Sequence, residues 1–142
     1  MEKIEFADLV RRFREVVPDA DVLIGRCDDE LRREIERWPA GETDLYTFLS
    51  KVVMYPVVLP ALSADDFDAD SVYPCFAFIE GLAQNDNSYI LGAVYYEVYE
   101  QFLDDIVVLE RALDCCLPVT RSGLMDMLTE QYPATLAKLR RP

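Results

Sequence analysis

The chain has 142 residues, half of them apolar, and a formal net charge of −13 without a single histidine. One domain with a real core is expected; the apolar content argues against disorder, and the charge argues against nucleic acid and anionic membrane as partners. No run of ~18 uncharged apolar residues offers a spanning segment, and MEKIEFADLVRRF lacks the layout of a signal peptide, so a cytoplasmic protein is expected.

The elements follow in chain order. Glu2 to Val17 reads as a first helix, with Ile4, Leu9, Phe13, Val16 and Val17 on the helical period, and Pro18 ends it. Val22-Leu23-Ile24-Gly25 reads as a docked loop or brief strand. Asp28 or Asp29 caps a second helix reaching about Trp38, with Leu31, Ile35 and Trp38 inward and charges of alternating sign outward. Pro39-Ala40-Gly41 breaks the chain. Thr43 or Asp44 caps a third helix that turns Leu45, Phe48, Leu49, Val52 and Val53 inward, and Pro56 is expected to kink or end it.

The polar loop from Ser63 to Ser71 leads into the stretch that organises the rest, residues 71–103. Val72, Cys75, Phe76, Phe78, Ile79, Leu82 and Ala83 cover most of a helical wheel, interrupted only by Tyr73 and Glu80, so this helix belongs inside. Asp70 or Ser71 is its expected cap. After Gln84-Asn85-Asp86-Asn87 a one-sided helix follows. Ile90, Leu91, Val94, Tyr95, Val98 and Phe102 fill one half, and Glu97, Glu100 and Asp104 fall within about a 60° wedge on the other. Ile106, Leu109, Ala112, Leu113, Cys116 and Leu117 form a further face closed by Pro118. Thr120 or Ser122 starts the last segment, which carries Leu124, Met127 and Leu128, breaks at Pro133 and continues through Leu136 and Leu139 to basic Lys138, Arg140 and Arg141. The fold expected is all-α: a single domain over residues 1–142, six or seven short helices in antiparallel hairpins, with a short helical solenoid as the alternative stacking.

Charge is unevenly spread. Residues 1–40 hold 8 Lys/Arg against 11 Asp/Glu, residues 41–110 hold only Lys51 against 13 acids, and residues 111–142 hold 5 against 3. The middle segment would attract a basic partner, although acid also serves solubility by itself. Its exposed acids and the aromatic beside them are the candidate partner-binding residues: Asp65, Asp66, Asp68 and Asp70 in the polar loop, and Tyr96, Glu97, Glu100 and Asp104 on the one-sided helix. An aromatic among carboxylates has the composition of an interface hot spot against a basic surface.

Chemistry is harder to find. Asp66-x-Asp68-x-Asp70 imitates the opening of a calcium loop, but Ser71 stands where glycine is needed and Ala77 where a bidentate glutamate is needed. Cys27, Cys75, Cys115 and Cys116 have no CxxC spacing, so they read as free thiols in a reducing compartment and not as a zinc site. Without histidine no Ser–His or Cys–His catalysis is available, and no glycine-rich phosphate cradle occurs. Neither metal nor cofactor is expected, and the chain reads as a binder and not an enzyme.

The run Cys75-Phe-Ala-Phe-Ile-Glu-Gly-Leu-Ala-Gln-Asn-Asp-Asn, followed by Tyr89-Ile-Leu and Glu97-Val-Tyr-Glu, is similar to a helical hairpin of uncharacterised bacterial domains. With its small size, acidity and lack of histidine, the chain resembles immunity proteins of bacterial toxin–antitoxin and contact-delivered toxin systems. The likeness spans about residues 70 to 110 and transfers no functional residue. It implies inhibition by binding, with an acidic surface set into the basic cleft of a cognate toxin. The alternatives are a carboxylate-based metal-binding or enzymatic bundle, and an adaptor whose apolar groove takes a partner helix.

Overall fold

The computed structural model describes residues 8–37 and 44–139. Ile4, Trp38, the Pro39-Ala40-Gly41 break, Thr43 and the basic pair Arg140-Arg141 lie outside the described residues. Those described form nine helices and no strand: α1 Leu9–Val16, α2 Ala20–Gly25, α3 Asp29–Glu36, α4 Leu45–Ser63, α5 Ala69–Ala83, α6 over 88–102, α7 Ile106–Cys115, α8 Pro118–Gln131 and α9 Pro133–Leu139. The all-α expectation holds. The helices outnumber the six or seven expected because Ala20–Gly25 is helical and Pro133 separates α9 from α8. In α2, Ala20, Leu23 and Ile24 are buried at i, i+3 and i+4, a helical spacing too short to be read against a strand.

Short polar side chains set most helix starts. Asp28 accepts from the Leu31 N–H at 2.8 Å, and Asp44 from Thr47 at 2.7 Å. Asn87 accepts from Tyr89 at 2.9 Å and Ile90 at 3.2 Å, and Asp105 from Val107 at 2.8 Å. Each supplies an acceptor to backbone donors that the first turn leaves without an intrahelical partner. The α5 cap differs from expectation: it is Asp68, accepting from Asp70 N–H at 3.0 Å, so the helix starts earlier than a cap at Asp70 or Ser71 would place it.

Pro56 neither ends nor breaks α4. The stretch Leu49–Val58 winds as a π-helix and continues into Leu59–Ser63. A proline lacks the N–H of a ladder bond and collides with the preceding turn. The wider π winding relieves that crowding, and Pro56 and Pro60 both face solvent, where the freed carbonyls can be hydrated. Leu45–Ser63 has the length and apolarity to cross a bilayer, but Leu45, Phe48, Leu49, Val52, Val53, Met54, Val58 and Leu62 are buried in the core, as a central helix of a folded domain requires.

The hub is α5. It touches α1, α4, α6, α7 and α8, so elements far apart in sequence share one core, which is bundle packing and not the neighbour-to-neighbour stacking of a solenoid. Val72, Cys75, Phe76, Phe78, Ile79 and Leu82 are buried as expected, and Tyr73 is exposed. The Phe13 ring meets Phe48 and Phe78 edge-on, each at 5.1 Å between centroids, tying α1 to α4 and α5. Phe76 stacks on Phe102 at 6.2 Å, a register that makes α5 and α6 antiparallel. The α4–α6 pair runs parallel: Tyr89 Oη accepts from Leu45 N–H at 3.3 Å, and Tyr55 Oη donates to Gln101 Oε1 at 3.1 Å further along both helices.

One helix start is supplied from elsewhere in the chain. Leu117 has no side chain able to cap α8, and neither Thr120 nor Ser122 does so. Glu80 of α5 accepts from Val119 N–H at 3.0 Å, Thr120 N–H at 2.8 Å and Thr120 Oγ1–H at 2.7 Å. Desolvation pushes the Glu80 carboxyl up, but these hydrogen bonds and one from Gln84 outweigh it and hold the group below the usual carboxylate range. Of the two residues that interrupt the apolar wall of α5, Tyr73 faces solvent and Glu80 is the cap of α8.

A candidate partner-binding face along α6

The ion pairs found among the described residues all lie in α1–α3 and their connections: Arg11–Asp8, Arg12–Glu15, Arg14–Asp21, Arg32–Asp29 and Arg37–Glu34. Asp65, Asp66, Asp68, Asp70, Glu97, Glu100 and Asp104 take part in none of them. Among the described residues none of the seven is in an ion pair, so their charge adds to the acidic field of this segment.

These residues fall into two groups. Asp65, Asp66, Asp68 and Asp70 are exposed at the N-terminal end of α5. Arg111 fastens the base of this loop, donating to the carbonyls of Leu62 at 2.9 Å and Ala64 at 2.8 Å, with its guanidinium 5.0 Å above the Phe67 ring. Tyr96, Glu97 and Glu100 share the outer side of α6. Because α6 runs back along α5, Asp104 lies toward the loop end, and the Ala83 end of the hairpin is ~20 Å away at 1.5 Å per residue. The candidate residues therefore make an extended acidic surface and do not converge on one cleft.

On α6 the wedge does not stand clear in water. Glu97 and Glu100 are half-buried, while Tyr96 is 54% exposed. Desolvation raises the Glu97 pKa, and Asp44 and Glu100 add like-charge repulsion. Residues Tyr95–Tyr99 are π-helical and Glu100–Phe102 form a 3-10 turn, so a uniform 100° wheel misplaces side chains from Tyr95 onward. Leu91, in the regular α-helical part, and Tyr95 are both expected inward but border solvent: Leu91 is 39% exposed and Tyr95 half-buried. Tyr95 meets Tyr96 at 5.1 Å and Tyr99 at 6.5 Å, both edge-on.

Beside this face, α6 and α8 enclose a groove of ≈ 280 Å³. Leu91, Tyr95 and Tyr99 line one wall, Val119, Gly123 and Met127 the other, and Asp126 and Glu130 stand at its edge. Gly123 is what brings the walls together: a Cβ there would lie 2.6 Å from Tyr99 Oη. Sequence reasoning missed this groove; its one available signal was the Val119, Gly123, Asp126, Glu130 spacing along α8.

Among the described residues no three of His, Cys, Asp or Glu converge so as to hold a metal ion. All four cysteines are free, and burial pushes the Cys75 and Cys116 thiols up to about 12, which keeps them protonated and poor nucleophiles. Comparison with protein-family models, with curated proteins and with solved structures yields no match in any of the three.

Proposed function

We propose that the chain is a stoichiometric binding protein of immunity type, which neutralises a basic bacterial toxin in the cytoplasm by covering it with an acidic surface, and that it performs no catalysis. The observation that carries this reading is the contrast in charge disposition: Asp8, Glu15, Asp21, Asp29 and Glu34 of the α1–α3 region meet arginines of their own segment, whereas the candidate acids of the loop and α6 form no ion pair among the described residues. Glu97 strengthens it. A carboxylate kept half-desolvated beside Asp44 and Glu100 opposes its own ionisation, and an opposite charge from a partner would relieve that repulsion.

The test is the product of the neighbouring reading frame. A basic, growth-inhibiting protein that forms a one-to-one complex with this chain and is silenced by it is the expected result. Absence of any such complex, together with micromolar Mg²⁺, Mn²⁺ or Ca²⁺ binding by calorimetry, would transfer the case to a carboxylate metal site.

A further inference from the structure

We infer that the groove between α6 and α8 receives a cationic amphipathic helix of the protein partner; this deepens the binding reading above and rests on it. Two helical stripes make the groove. Leu91, Tyr95 and Tyr99 recur every four residues on α6; Val119 and Gly123, then Met127, follow the same period on α8. The apolar mouth is open, with Leu91 39% and Val119 41% exposed, while Tyr99 and Met127 form a buried floor. A third helix laid between two such stripes would bury the exposed apolar atoms by the packing that holds bundles together. From Val119 to Glu130 the groove runs ~16 Å, the length of about three turns of a guest helix laid over it, and its ≈ 280 Å³ takes side chains from that helix's apolar face.

Charge selects the guest. Asp126 and Glu130 are exposed at i and i+4 on the rim, and Glu100 is close enough to Tyr95 to raise its hydroxyl pKa after burial and Tyr132. None of the three acids has an ion-pair partner among the described residues. Arg or Lys at i and i+4 of a guest would meet Asp126 and Glu130 while its apolar face enters the groove. A second copy of this chain, itself at −13, would be repelled.

The probe is a synthetic amphipathic peptide of about three to four helical turns, Leu and Ile on one face and Arg beside it, titrated into the ¹⁵N-labelled full chain. Expected shifts map to Leu91, Tyr95, Gly123, Asp126 and Glu130. Asp126→Lys with Glu130→Lys is expected to weaken binding about tenfold or more at low salt, and a peptide with Glu in place of Arg is expected not to bind. The proposal is overturned by absence of shifts up to about 1 mM peptide, by shifts elsewhere, by equal binding of the Glu peptide, or by groove shifts from self-association without peptide. The two readings separate with a cognate basic partner. If its affinity falls on reversal of Glu97, Glu100 and Asp104 but not on reversal of Asp126 and Glu130, the groove loses its role and the acidic binder keeps its own.

Discussion

The helices α1–α3 and the segment from α4 to α7 are both acidic, yet they use charge in opposite ways. In the first, Arg11, Arg12, Arg14, Arg32 and Arg37 meet acids within the same short stretch. Exposed pairs of this kind add little stability; their consequence is that the segment presents little net field. In the second, Lys51 and Arg111 are the only bases, Arg111 is held by the Leu62 and Ala64 carbonyls, and the acids of the loop and α6 form no ion pair among the described residues. Glu80 is the exception in that segment: it lies inside and serves α8. Position, more than count, thus decides whether an acid solubilises, attracts or builds.

Mutations can break or sharpen this contrast. Phe13→Ala has the largest expected effect, about 4 kcal/mol of lost stability in urea unfolding, because the ring is fully buried between Phe48 and Phe78. It shows that α1, for all its surface charge, belongs to the common core. Next is Glu80→Ala, at about 3 kcal/mol, because it strands the Val119 and Thr120 donors. The folded Glu80 carboxyl is held below its ordinary range, so its contribution is complete above the unfolded carboxylate pKa and is lost as pH falls through the depressed folded value. Stability of the native chain should therefore decline in acid more steeply than that of Glu80→Gln.

Smaller effects separate the surface acids. Glu97→Gln should leave stability at neutral pH unchanged or slightly raised, since the raised carboxyl pKa marks an ionised form that folding disfavours. Its thermal unfolding, compared with that of Glu80→Gln, reads the opposite signs of the two carboxylates directly. Arg14→Ala, which removes the 2.8 Å exposed pair with Asp21, should cost less than about 0.5 kcal/mol.

Much of the architecture is visible in the amino-acid order. The burial of α5 follows from an apolar wheel, and Leu45, Phe48, Leu49, Val52 and Val53 of α4 all point inward as their spacing requires. The acids of 41–110 were also legible, being a matter of composition. The rest was hidden for physical reasons. Pro56 stops an α-helix but is tolerated on the solvent side of a π segment. The cap of α8 comes from Glu80, 40 residues earlier in the chain, which no local pattern reports. The groove was concealed because its second wall comes from α8, about 30 residues further along, and no wheel of α6 alone shows that Leu91 and Tyr95 face it.

The most direct measurement is the association rate with the basic partner proposed above, for the native chain and for Glu97→Lys/Glu100→Lys/Asp104→Lys, from low to high salt. The expected result is a native rate that falls steeply with ionic strength and a variant that is roughly tenfold slower at low salt, with the two converging as screening grows. Equal rates for the two proteins, or a native rate indifferent to salt, would contradict the claim that the unpaired central acids are there to capture a partner.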